Sequence, residues 1–219
     1  MKFFLDTTDI NEIKELKSTG MIDGITTNPS LAAASGKPFI TLLEEICSII
    51  TGPVSAEVTA LNADDMVKES RVLTKVAPNI TIKVPLTPEG LKCCKRLSDE
   101  GTMVNVTLCF SATQALLAAK CGATFISPFV GRVEDIGGDG MNLIDEICQI
   151  YTNYDYQTEV LVASVRNTGH ILESSLIGAH VITMPPSAFK QLYKHPLTEN
   201  GLSAFMKDWE KTGQSILDQ

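Results

Sequence analysis

The chain lacks the residue patterns that metal, redox and nucleic-acid chemistry require. Its three histidines, His170, His180 and His195, are too few and too dispersed for a metal site. Its six cysteines, Cys47, Cys93, Cys94, Cys109, Cys121 and Cys148, show neither a C-x-x-C pair nor zinc spacing. Most lie in apolar runs and read as reduced structural thiols of a cytosolic protein. There is no surplus of positive charge: 18 Lys and Arg stand against 26 Asp and Glu, a formal net charge of -8. That balance excludes the basic surface that nucleic acid or an anionic membrane selects. An anionic small substrate would need a local group of Arg side chains or backbone N–H groups. No G-x-G-x-x-G or P-loop sequence supports a nucleotide-binding sheet. No apolar run is long enough to span a bilayer, and Asp6, Asp9 and Glu12 interrupt any signal peptide early. The expectation is a soluble, cytoplasmic protein that binds neither nucleic acid nor membrane.

At 219 residues, 44% hydrophobic and 20% charged, the chain has a globular composition and can bury a full core. Short strand-like runs alternate with helical segments from end to end. The runs are 1–6, 24–26, 54–58, 80–85, 103–108, 123–127, 159–164 and 180–183. Helical segments follow them, among them 62–76, 142–151 and 167–177, while the Gly-rich stretch 131–140 reads as a long loop. This alternation predicts a parallel sheet. Eight units in one domain, 1–219, predict a closed (β/α)8 barrel; a doubly wound open sheet is the rival. A helical extension, about 196–219, follows the barrel and carries Leu202, Phe205, Met206 and Trp209 on one face. Such a stripe either packs on the core or docks on a neighbouring subunit.

In the fourth run, Ile80, Ile82 and Val84 share one parity, and Thr81 and Lys83 the other. A lysine turned into a barrel needs a partner or a task. Other runs place polar groups the same way, near the C-terminal ends where barrel sites lie. Ser55, Glu57 and Thr59 alternate with Val54, Ala56 and Val58; Asn105 and Thr107 alternate with Val104, Val106 and Leu108. Asp6 ends the first run, Thr26 and Asn28 the second, and Ser127 and Phe129 face opposite to Ile126. In the seventh run Ser164 and Arg166 fall on the side of Val162, with Leu161 and Ala163 on the other. One lysine, two carboxylates and several hydroxyls converging on one interior predict a functional pocket.

With no metal or nucleotide motif, an interior lysine is best read as an amine that forms a Schiff base with a carbonyl substrate. The amine attacks only when neutral, and desolvation inside a barrel favours that form. Glu57 is the candidate to deliver protons to the carbinolamine oxygen, through water or Thr107. Asp6 is the candidate base for a substrate hydroxyl when the adjacent carbon–carbon bond breaks. Arg132 and Arg166, beyond the sixth and seventh runs, form a candidate phosphate site with Ser164; surface salt bridges are the alternative for both arginines.

Four segments, Phe4-Leu5-Asp6-Thr7, Thr26-Thr27-Asn28-Pro29-Ser30, Ile82-Lys83-Val84-Pro85 and Ala163-Ser164-Val165-Arg166, together resemble the transaldolase family. The chain is most similar to its short members, which are related to fructose-6-phosphate aldolase. The resemblance extends through His195-Pro196-Leu197-Thr198 and the terminal helix. It implies a (β/α)8 barrel, no cofactor, sugar-phosphate substrates, and a homo-oligomer in which two pentameric rings form a decamer. It also implies roles: Lys83 as Schiff-base lysine, Asp6 as acid/base, and Glu57 acting through water with Thr107. Asn28, Asn105 and Ser127 would hold the dihydroxyacetone part, and Arg132, Ser164 and Arg166 the phosphate. Fructose-6-phosphate aldolases carry Gln in place of Glu57 and Tyr in place of Phe129, so this chain resembles the transferases at both positions. The implied activity is transaldolase; the alternatives are an aldolase releasing dihydroxyacetone, and a silent sugar-phosphate-binding barrel.

Overall fold

Helices begin where a short polar side chain can satisfy free backbone N–H groups. The side chains of Asp9, Asn28, Asn62, Thr87, Ser111, Asp139 and Asn167 each accept from a backbone N–H two or three residues ahead. In the computed structural model, which describes residues 1–217, the chain opens with β1 (Lys2–Asp6), α1 (Ile10–Lys17), β2 (Gly24–Thr26), α2 (Pro29–Ser35) and α3 (Phe39–Ile49). Next come β3 (Val54–Glu57), α4 (Ala63–Leu73), β4 (Ile80–Pro85), α5 (Pro88–Asp99), β5 (Val104–Cys109) and α6 (Ala112–Lys120). Then follow β6 (Phe125–Pro128), α7 (Val130–Asp135), α8 (Gly140–Asn153), β7 (Glu159–Val162) and α9 (Thr168–Ile177). The chain ends with β8 (Val181–Met184), α10 (Pro186–Gln191) and α11 (Pro196–Glu210).

The strands pair in parallel and in sequence order, and β8 returns to β1, so the sheet closes into a (β/α)8 TIM barrel with α11 as an extra helix. The open-sheet alternative is thereby removed. Strand alternation sorts the side chains. Ile82, Val84, Val104, Val106, Val160, Val162 and Ile182 point outward into the core shared with the helices. Phe4, Phe125, Leu161, Ala163 and Val181 form a separate apolar cluster inside the barrel. The Phe4 and Phe125 rings meet edge to face, with centroids 5.9 Å apart. Gly24 makes room for this plug: a Cβ there would lie 2.7 Å from the Phe4 ring and 2.6 Å from the Pro53 carbonyl oxygen.

Several boundaries differ from expectation. The stretch 131–140 is not one loop, because α7 occupies its first half before Gly137 turns the backbone at positive φ. In the third run, β3 stops at Glu57 and Thr59 leaves the barrel, its N–H and hydroxyl both donating to Glu69. In the seventh, β7 stops at Val162, which packs outward, while Leu161 and Ala163 point inward. The expected parity of that run is therefore inverted. Ser164 still reaches the mouth, because its φ of 60° breaks the alternation. The α11 face with Leu202, Phe205, Met206 and Trp209 is exposed and does not pack on the barrel core. Asp218 and Gln219, the end of the expected extension, lie outside the described residues.

Candidate active site

A cavity of about 430 Å³ opens at the C-terminal ends of the strands. Asp6, Thr26, Asn28, Glu57, Lys83, Thr107, Ser127, Phe129, Arg132 and Ser164 all line it. Glu57 and Lys83 face each other in the β3–β4 register, which brings Lys83 Nζ to 2.9 Å from Glu57 Oε2. The same ammonium donates to the Thr27 carbonyl oxygen at 3.0 Å. Only 7% of the Lys83 side chain and 15% of Glu57 are exposed, so the pair has little bulk water to compete with. The carboxylate reaches the amine directly, with no bridging Thr107. Thr107 Oγ1 is instead the buried side-chain oxygen that lacks a partner among the described residues. Buried hydroxyls are nearly always paired, so this one is available to a bound molecule.

Asp6 stands across the mouth on β1. Burial pushes its carboxyl above the ordinary range, opposed first by the Thr26 hydrogen bond and then by the Lys83 charge. Thr26 Oγ1 lies 2.8 Å from Asp6 Oδ1 and 2.6 Å from Thr183 Oγ1. Asn28 Oδ1 caps α2 by accepting from Leu31 N–H, and the Asn28 side chain also favours the ionised Asp6 carboxyl through a hydrogen bond. Asn105, expected among the binding residues, does not line the cavity: it is fully buried behind the wall. It donates to Ser55 Oγ at 3.2 Å and accepts from Ser127 Oγ at 2.8 Å. Its place one layer below Thr107 on β5 explains this.

The two arginines separate. Arg132 lines the cavity, its guanidinium carbon 5.2 Å from the centre of the Phe129 ring. No carboxylate pairs with it among the described residues. Arg166 does not line the cavity. It makes a two-pronged salt bridge to Asp135 of α7, at 2.7 and 2.5 Å, as the surface alternative anticipated. A Cβ on Gly131 would lie 2.6 Å from Arg166 Nε, so the glycine lets the Arg166 side chain lie flat on α7. The sequence reading missed Thr183, Leu108 and the Thr27 carbonyl. The signal for Thr183 was its parity with Val181 at a strand end. Leu108 lines the cavity at φ 60°, and together with Ser164 it puts left-handed backbone at the mouth, a strain typical of functional sites.

No cysteine lines the cavity, and burial pushes Cys94 and Cys109 up to about 12, away from the reactive thiolate range. Among the described residues no group of three or more His, Cys, Asp or Glu is arranged to hold a metal ion, and no helix is long and apolar enough to cross a membrane.

A closed barrel with a buried lysine, two carboxylates and one arginine at its C-terminal mouth has the layout of a barrel enzyme. Over residues 3–216 the sequence matches the family described as Transaldolase/Fructose-6-phosphate aldolase, and the chain belongs to that enzyme family. It is 61% identical to a protein named probable transaldolase from Rhodospirillum centenum, over all of this chain and 95% of that protein. It is 64% identical to another of that name from Rhizorhabdus wittichii, over 99% of this chain and all of that one. Among solved structures it is similar to the inosine 5' monophosphate dehydrogenase of Legionella pneumophila, with a TM-score of 0.62 and 14% identity. That match covers 86% of this chain and 58% of the dehydrogenase, and it concerns the fold alone.

Proposed function

We propose that the protein is a transaldolase that moves a dihydroxyacetone unit between sugar phosphates through a Schiff base on Lys83. Sedoheptulose 7-phosphate and glyceraldehyde 3-phosphate would yield erythrose 4-phosphate and fructose 6-phosphate. The observation that carries this reading is the Lys83–Glu57 pair, 2.9 Å apart inside a cavity that Asp6 shares. Lys83 Nζ attacks the ketose carbonyl after passing a proton to Glu57. Glu57 returns a proton to the carbinolamine oxygen, which leaves as water. Asp6 takes the proton of the C4 hydroxyl, the C3–C4 bond breaks, and the bonding electrons pass into the enamine on Lys83. The enamine adds to the incoming aldehyde, Asp6 returns its proton, and water releases the product. Asn28 and Ser127 are the proposed contacts to the dihydroxyacetone hydroxyls, with Asn105 orienting Ser127. Arg132 and Ser164 are the proposed phosphate contacts; Arg166 would join them only by exchanging Asp135 for phosphate.

Phe129 favours transfer over release, because a phenyl ring has no hydroxyl with which to protonate the enamine. The test is borohydride reduction with fructose 6-phosphate, read as added mass on the Lys83 peptide; no added mass refutes the Schiff base. Incubation with fructose 6-phosphate alone separates the aldolase reading, since fast release of free dihydroxyacetone refutes the transferase. The exposed apolar face of α11 supports assembly with further copies of this chain, in rings of the decameric kind or otherwise. Light scattering that gives a monomer mass at micromolar concentration would refute that. The acidic, thiol-bearing composition favours the cytoplasm.

A further inference from the structure

Asp6 is held by a chain of two hydroxyls whose protons can be counted. A carboxylate only accepts, so at 2.8 Å Thr26 Oγ1 must donate to Asp6 Oδ1. Thr26 has one hydroxyl proton, and it is now spent; at 2.6 Å from Thr183 it can only accept. Thr183 is therefore the donor, and it makes no other side-chain hydrogen bond among the described residues. Thr26 and Thr183 are 3% and 4% exposed, so bulk solvent does not compete for either proton. Three adjacent strands supply the chain: β1 pairs with β2 at Asp6–Thr26 and with β8 at Phe4–Thr183.

We infer that Thr183 is a positioning residue: it fixes Thr26 as the donor to the ionised Asp6 at Oδ1 and so leaves Oδ2 for the proton exchanged with substrate. This rests on the proposed acid/base role of Asp6. A hydroxyl that is itself receiving a hydrogen bond donates more strongly. The stronger bond favours the ionised carboxylate, as the Lys83 ammonium and the Asn28 side chain also do, against burial first and the Glu57 charge second. As long as Thr183 donates to Thr26, Oδ1 stays an acceptor and Oδ2 is the oxygen left to take a proton.

The test follows the Asp6 carboxyl through pH by carbon NMR in the ligand-free protein, so it needs no turnover. Thr183→Val keeps the shape and removes the donor; Thr183→Ala also removes it; Thr183→Ser keeps it. In the Val and Ala variants the Asp6 midpoint should rise by about a few tenths of a pH unit, the order expected of hydrogen-bond cooperativity. The Ser variant should titrate as the parent does. An unmoved midpoint in Val and Ala overturns the inference, and so does an equal rise in Ser; if Val does not fold, the Ala and Ser pair decides. The acid limb of the kcat/KM profile, which reports the free enzyme, should move with the NMR midpoint. If the midpoint moves and the limb does not, the hydroxyl order stands and the proposed role of Asp6 fails.

Discussion

The barrel interior has a floor and a mouth built by the same strands two residues apart. Phe4, Phe125, Leu161 and Val181 make the floor. Asp6, Ser127, Ala163 and Thr183, each two residues further on, stand at the mouth. The floor gains from dry packing, whereas the mouth holds a lysine, two carboxylates and an unpartnered hydroxyl away from bulk water. Such groups cost stability unless paired. The two layers thus divide the labour of one sheet, the lower stabilising and the upper carrying the chemistry.

Substitutions should therefore act on one layer at a time. The largest effect is expected at Lys83: Lys83→Met should lower turnover by at least about 10⁴-fold, as loss of a nucleophile does. Its thermal unfolding should shift downward, because Glu57 keeps little exposure and loses its partner, so turnover is read per folded molecule; residual transfer above that level would count against Lys83. On the floor, Phe4→Ala should cost about 3–5 kcal/mol of stability in denaturant titration. Turnover per folded molecule should be nearly unchanged, and a large loss of kcat would blur the division between layers. Glu57→Gln keeps the shape beside Lys83 but cannot shuttle a proton, so kcat should fall about 10²-fold in single-turnover assays. The smallest effect is on stability at Asp6, whose folded carboxyl lies above its ordinary 3.8. A carboxyl raised in this way contributes stability fully below its unfolded value and loses it as pH rises through the folded one. Asp6→Asn, neutral throughout, should therefore melt higher than the parent at neutral pH. The gap should close in acid; a gap that widens in acid would reverse the sign.

Much of the floor-and-mouth division is legible in the sequence. β-branched residues on one parity and Glu57, Lys83, Thr107 and Ser127 on the other mark inside and outside in β3 to β6. The pattern fails where backbone conformation overrides alternation, as at Ser164, whose left-handed φ has no signature in a serine. The glycines at 137, 138 and 140 suggested a loop and concealed α7. Arg166 could not be separated from Arg132 by residue type, because its partner Asp135 lies 31 positions away and meets it only through the barrel. Thr183 looked like one more β-branched residue of a buried strand; its bond to Thr26 spans 157 positions.

That span bears on synthesis. The Lys83–Glu57 pair belongs to neighbouring strands and can form early, while β1 waits for β8 before its second edge is covered. Contacts so distant in sequence are the slow ones to form. A chain lacking β8 would have no Thr183 to donate to the Thr26 hydroxyl beside Asp6. The seam between β1 and β8 that closes the barrel is thus the same contact that brings the last hydroxyl up to Thr26 and Asp6.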